Sequence, residues 1–306
     1  MDIFKNILGW KKAPAVKVNM PVFALQVLIT NILFSWIILT AFMKLDRENM
    51  HSLPELMIYS LGFGPIGTSL LLYYLLLIVP HQSDLFYVLA VIVVYLFLFL
   101  LGRKNWSRAL AEIVTMATKI KANYKTLNQL ARMESIAVTG ILLIALSIFF
   151  YVYFGYTLRL PLDESDALKY GEMGKICYQE KSLDYRWVRN DPETGFAPDF
   201  NSAPSFALLL TWEKMTGALF SSYQDIYFKS IGAYYALLIL GILIFWLSKR
   251  NKLLAFLGVF AYLSGLYFFA TLFEQHLDSY RIFFVIISWI WLAYAIDKND
   301  RFSFVF

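Results

Sequence analysis

The chain has 306 residues, 59% of them hydrophobic and 16% charged, with a formal net charge of +5. That apolar excess gives a mean hydropathy of +0.58 and excludes an ordinary water-soluble domain, whose core segments alternate with polar turns. Apolar residues instead come in runs close to the ~20 that a spanning helix needs. The hydrocarbon layer holds no water, so such runs satisfy their own backbone groups as helices. The fold class expected is all-α: a polytopic membrane protein of about seven transmembrane helices. Cys177 is the only cysteine, which excludes an intramolecular disulfide and a CxxC metal site.

The opening MDIFKNILGWKKAPAVKVNM has lysines throughout and no A-x-A-like cleavage site after an apolar core. It reads as an amphipathic interfacial segment and not as a secretory signal. Spans are predicted at roughly 21–42, 56–79, 85–101, 136–154, 227–247, 253–273 and 281–296. In the second, Gly62, Gly64 and Gly67 spell GxGxxG. A dinucleotide fingerprint needs a preceding strand and a later acidic residue. Here the glycines fall early in an apolar helix beside Pro65, which points to close helix packing or a kink.

The segment from Trp106 to Met133 has apolar residues at helical spacing, Leu110, Ile113, Ala117, Ile120, Tyr124, Leu127 and Leu130 among them. Lys119, Lys121, Lys125 and Arg132 suit either anionic lipid headgroups or an ordinary solvated cytoplasmic helix. Seven Lys/Arg against two acidic residues lie between Arg103 and Glu134. With the short run Lys249, Arg250, Asn251, Lys252, this places both stretches on the cytoplasmic side. The stretch from Arg159 to Asp199 has nine acidic and six basic residues and suits the outer side. Seven spans then put the N-terminus outside, against Lys5, Lys11, Lys12 and Lys17, unless one of the first three segments does not cross.

Residues 158–226 interrupt this single transmembrane domain, 1–306, as an acidic extracytoplasmic loop carrying short amphipathic helices. Asp163, Glu164 and Asp166 stand at the mouth of a hydrophobic helix, where carboxylates suit a reaction or ion site. The same three residues would also cap and solvate an exposed loop. Asp166 begins a helix read from about Ser165 to Glu180, with Tyr170, Met173 and Cys177 on the same face. An anion there is favoured by the helix dipole and free N–H groups. At the mouth of the last span, His276, Asp278 and Arg281 fall within six residues. They suit a metal and a phosphate, or equally a polar connector with a snorkelling arginine. His51 and His81 sit in short connections without acidic clusters and read as structural. Arg186, Trp187, Arg189, Asp191 and Asp199 suit a sugar or phosphate as well as a headgroup belt.

The stretch DESDALKYGEMGKICYQEKSL resembles the first outer loop of bacterial GT-C glycosyltransferases, the polyprenyl-phosphate-sugar-dependent enzymes related to protein mannosyltransferases and aminoarabinose transferases. The matching positions are Asp166, Tyr170, Gly174-Lys175 and Lys181-Ser182-Leu183. SAPSFALLLTW is similar to the family's proline-opened amphipathic helix, with a single Pro204 where the family has two prolines. The stretch from His276 to Phe284 is similar to its second outer signal. The likeness covers roughly residues 135–296. Family members usually continue beyond a point corresponding to Phe306, so it implies a fragment or a short member.

The resemblance implies an inverting transfer of a sugar from a polyprenyl-phosphate donor to an envelope acceptor, at the outer face of the inner (plasma) membrane. Asp166 would be the catalytic base. Asp278, Arg281 and Tyr170 would bind substrate and its phosphate. Asp163, Glu164 and His276 would hold a divalent ion such as Mg, Mn or Zn, if one is used. Membrane lipids are the other expected partners, and nucleic acid is not expected. Alternatives are an O-antigen polymerase or ligase, a lipid flippase or transporter, and a structural membrane subunit. Almost no ionisable residue falls within the spans, which weighs against transport.

Overall fold

A computed structural model of the chain describes residues 28–45, 51–126, 165–183, 205–219, 229–249, 252–265 and 278–298, with a few single positions between 136 and 147. Every regular element among them is helical. A π-helical turn, Leu28–Leu33, leads into α1 (Phe34–Leu45); α2 (Leu53–Ile78) and α3 (Asp84–Gly102) follow. A short 3-10 turn, Arg103–Asn105, joins α3 to α4 (Trp106–Thr126). Then come α5 (Ser165–Glu180), α6 (Ser205–Leu219), α7 (Lys229–Ser248), α8 (Lys252–Ser264) and α9 (Asp278–Lys298).

Three helical stretches among the described residues are long and apolar enough to cross a bilayer: Leu53–Ile78, Asp84–Lys119 and Ile231–Ser248. Ile29–Lys44, Leu253–Ser264 and Tyr280–Ile296 are shorter apolar helices. The described parts of the spans predicted at 21–42, 253–273 and 281–296 overlap these three helices. The span predicted at 136–154 and the segment 1–20 lie largely or wholly outside the described residues. The described residues are therefore all-helical, with three candidate spans where seven were predicted, which suggests a membrane protein.

Helix α2 starts where the sequence tells the backbone to start. Ser52 and Glu55 form a reciprocal capping box, with Pro54 in the first turn. Its interior carries Pro65, and the three glycines around that proline are contact points. A Cβ on Gly62 would lie 1.9 Å from the Phe283 ring, one on Gly64 2.2 Å from Ser35 Oγ, and one on Gly67 2.8 Å from Tyr95 Oη. The GxGxxG string is thus a packing face against α9, α1 and α3, as the sequence reading anticipated.

Polar ties fix which helix ends lie together. Lys249, just past α7, pairs with Glu55 at the start of α2 (2.5 Å), and Tyr294 late in α9 donates to the same carboxylate (2.8 Å). Asn105, just past α3, donates to the Thr40 carbonyl late in α1 (3.1 Å). These contacts gather the C-terminal ends of α1, α3, α7 and α9 with the N-terminal end of α2. Both basic connectors, at Arg103-Lys104 and at Lys249–Lys252, therefore share one end of the bundle. The N-terminal ends of α3 and α9 mark the other.

Helix α6, expected as a short amphipathic helix opened by Pro204, is buried along most of its length. Ala207, Leu208, Leu209, Leu210, Thr211, Trp212, Lys214 and Met215 are all buried, which is a helix covered on every side. It packs on α5, α2 and α3. The physical reason is length: at 15 residues it rises only ~22 Å, so its apolar surface is hidden by neighbouring helices instead of crossing the bilayer.

Candidate functional site

Helix α5 is amphipathic, and its inner face carries the residues singled out by sequence. Tyr170, Met173, Ile176 and Cys177 are buried, whereas Glu172, Lys175, Gln179 and Glu180 are outside or nearly so. Gly174 lets α6 approach: a Cβ there would stand 2.7 Å from the Ala207 carbonyl oxygen. Thr211 uses that proximity, its hydroxyl lying 3.0 Å from both the Gly174 and the Ala207 carbonyls.

The C-terminal end of α5 is clasped to the α2–α3 connection. Lys181 adopts a left-handed backbone (φ 51°) and its N–H closes on the Cys177 carbonyl (3.0 Å), the terminating geometry usually left to glycine. The Lys181 carbonyl accepts from the His81 N–H (2.8 Å) and from Tyr87 Oη (3.2 Å), and the His81 ring bonds the Glu180 carbonyl (2.8 Å). The Lys181 ammonium pairs with Asp84 and lies 3.6 Å from the centre of the Tyr178 ring. Burial pushes this ammonium below its ordinary pKa, and Asp84 restores part of the loss. Burial, then the Asp84 charge, pushes the Tyr178 phenol up. His81 has the structural role read for it. Lys181-Ser182-Leu183, matched to a family exit signal, works here as a helix terminator and clasp.

With α5 held this way, its first half meets the start of α9. Arg281 Nη2 donates to Tyr170 Oη at 3.3 Å, joining two residues 111 positions apart. Tyr280 beside it packs its ring on Tyr235 and Phe284, with centroids 5.0 and 5.4 Å apart. Asp166 occupies α5 one turn before Tyr170, and Asp278 is the first residue of α9, one turn before Arg281. The Arg281–Tyr170 bond is thus a contact between α5 and α9 at the bundle end opposite the basic connectors, while the side chains of Asp166 and Asp278 lie outside the described residues. Asp163, Glu164 and His276, the expected ligands of a divalent ion, lie outside the described residues, as do Arg186, Trp187, Arg189, Asp191 and Asp199. Among the described residues no group of three His, Cys, Asp or Glu side chains comes together. The described cation at the junction is the exposed Arg281 guanidinium.

A second polar centre was not anticipated. Thr30, Asn31, Pro65, Leu209, Trp212, Glu213, Ile231, Tyr234 and Tyr235 enclose a cavity large enough for about one water molecule. Two of its four walls, the π-turn and α2, are interrupted helices. Pro65 has no N–H for the Leu61 carbonyl one turn back, and Tyr234 Oη donates to that carbonyl instead (2.7 Å). Tyr235 Oη donates to the next one, Gly62 (2.8 Å). Across the cavity the π-turn's Thr30 hydroxyl accepts from Trp212 Nε1 (2.8 Å). Glu213 Oε2 is out of contact with solvent. Burial pushes this carboxyl well above its usual range, and Lys214 beside it pulls it partly back. The clue available in the sequence was the Glu-Lys pair closing the apolar run SFALLLTW, together with Pro65 inside a span.

Comparison of the chain with known protein families, with characterised proteins and with solved structures returns no match. The class of the protein is thus set by its helices alone.

Proposed function

We propose that this chain is an integral membrane glycosyltransferase that moves a sugar from a polyprenyl-phosphate donor to an acceptor at the outer membrane face. The observation supporting this reading is the Arg281–Tyr170 hydrogen bond. It joins a cation and a phenol that each lie one turn beyond a candidate carboxylate in sequence, Tyr170 after Asp166 and Arg281 after Asp278. In this reading Asp166 takes the proton of the acceptor hydroxyl as it attacks the anomeric carbon. Arg281 offsets the negative charge that develops on the departing lipid phosphate, for which a guanidinium fork is suited. Tyr170, buried and hydrogen-bonded to it, orients the guanidinium. A divalent ion bound through Asp163, Glu164 and His276 would add to the same charge stabilisation.

The test is sugar transfer by the purified full-length chain in vesicles, with labelled polyprenyl-phosphate-sugar donors. Asp166→Asn should fold normally and lose at least a hundredfold in rate, since removing a general base costs ~10²–10⁴-fold. An Asp166→Asn protein with full transfer would remove the base from this position. A chain that transfers no sugar from any polyprenyl-phosphate donor would sink the assignment itself.

One observation favours a second reading. Glu213 and Lys214 sit inside the bundle beside a proline-broken helix and a π-turn, and transporters build substrate sites at helix interruptions of this kind. Flux through vesicles that vanishes in Glu213→Gln, with no sugar transfer, would establish it in place of the first.

A further inference from the structure

Helix α3 has 19 residues, so it rises ~28 Å, about the thickness of a bilayer's hydrocarbon core. The helical run Asp84–Lys119 has 36 residues, or ~54 Å. If α3 crosses, α4 must lie beyond the hydrocarbon, and the break between them supports this. Arg103 and Lys104 are exposed there. Trp106 follows at once, packed edge-on against Phe99 (4.2 Å) and Trp36 (5.8 Å), at the depth where tryptophan gathers in membrane proteins.

Successive faces of α4 then meet three environments. Ala109 is buried against the bundle. Leu110 and Val114, one turn apart, are 53% and 61% exposed. Arg108, Thr115 and Lys119 are exposed on another side, with Arg108 bonded to Glu112 at 2.8 Å. Residues 103–126 hold six Lys/Arg and one acidic residue. A helix standing in water gains nothing by presenting Leu110 and Val114 to it, and a helix inside the hydrocarbon could not present Arg108 and Lys119. A surface with acyl chains below and anionic phosphates above satisfies both faces.

We propose that α4 lies in the headgroup layer at the basic end of the bundle and binds anionic phospholipid. Leu110 and Val114 enter the acyl region, and Arg103, Lys104 and Lys119 meet the lipid phosphates. The Lys249–Lys252 connector, at the same end, adds to this positive surface.

The test uses the full-length protein in vesicles of phosphatidylcholine, alone or mixed with phosphatidylglycerol. Cys177 is buried, so nitroxide labels can be attached at Val114→Cys or Lys119→Cys alone. With phosphatidylglycerol present, the label at 114 should be open to oxygen and shielded from aqueous nickel, and the label at 119 the reverse. Water exposure at both positions would make α4 a solvated helix and overturn the proposal. Phosphatidylglycerol retention, read by mass spectrometry of the intact complex, should fall by about a hundredfold in Arg103→Gln/Lys104→Gln/Lys119→Gln, about fivefold per cation. Retention unchanged in that variant overturns the recognition of charge. Should the variant fail to fold, the wild-type chain decides: weakening at high salt supports the proposal, and salt-insensitive retention overturns it.

Discussion

Replacing Tyr234 by Phe removes one hydroxyl, and with it the 2.7 Å hydrogen bond to the Leu61 carbonyl. In an unbroken helix that carbonyl would receive the N–H of residue 65, but residue 65 is proline and has none. Ser35 Oγ is 3.5 Å away, and it already donates to the Asn31 carbonyl. The variant therefore leaves a buried acceptor with no good donor, at a cost of ~1–2 kcal/mol, between the values for interhelical bonds in membranes and for unsatisfied buried groups. That is a factor of about 5–30 in the unfolding constant. Tyr235→Phe makes a useful control. The Gly62 carbonyl, which Tyr235 serves at 2.8 Å, has its helical donor at Ile66, so this change should cost only ~0.5–1 kcal/mol. The decisive variant is Pro65→Ala, which restores the missing N–H. In that background Tyr234→Phe should cost less than half as much, a coupling of ~1 kcal/mol in a double-mutant cycle. Reversible unfolding of the purified protein in mixed micelles, followed by helical circular dichroism, gives the four stabilities. An equal cost of Tyr234→Phe with proline or alanine at 65 would refute the idea that the tyrosine stands in for the lost N–H.

Three further outcomes are expected. Gly62→Ala should destabilise by roughly 1–3 kcal/mol through overpacking, since its Cβ would meet the Phe283 ring, and Phe283→Leu should recover part of the loss; a silent Gly62→Ala would refute the contact. Lys181→Ala should lower the thermal midpoint more than Lys181→Gly although both remove the pair with Asp84, because only alanine keeps a Cβ in the left-handed region, at roughly 1 kcal/mol. Equal midpoints would show that the backbone at 181 carries no strain. For Glu213, whose carboxyl is raised from an ordinary 4.5, the folded chain keeps a proton that the unfolded chain releases. This contribution to stability is whole below pH 4.5 and is lost as pH rises through the folded value, so the wild-type midpoint should fall relative to that of Glu213→Gln across that window; parallel curves would place the carboxyl in water.

What could be read ahead of the structure was governed by how local each signal is. The runs that became α2, α3 and α7 are continuous and long, so hydropathy alone located them. Even so, α2 begins three residues before its predicted start at 56, because Ser52, Pro54 and Glu55 form a polar cap that an apolar window does not register. The glycines around Pro65 were legible as packing positions because their setting lacked a strand and an acidic partner. The identity of their partners, Phe283, Ser35 and Tyr95, was not, since those residues come from three other helices. The partners of α6 were hidden for the same reason. The run from Ser205 to Leu219 reads locally as an amphipathic helix, and only the presence of α5, α2 and α3 around it shows how much of it is enclosed.

The junction of α5 and α9 shows how the two kinds of information combine. Asp166 and Asp278 were singled out because each opens a helix next to apolar sequence, which is a local property. The placing of α5 depends on contacts that no local pattern encodes: the Lys181 clasp on Asp84 sets one end of it, and the closeness of Gly174 to Ala207 sets its distance from α6. Charge supplies the remaining constraint. Lys249 bonded to Glu55 brings the second basic connector to the end where Arg103 and Lys104 already stand, so these two connectors are separated from the Arg281–Tyr170 junction by the length of α9. Under the positive-inside rule the end that carries those connectors would be the cytoplasmic one. The starts of α5 and α9 would then face the other side, which is the side that the proposed transfer from a lipid-linked donor requires.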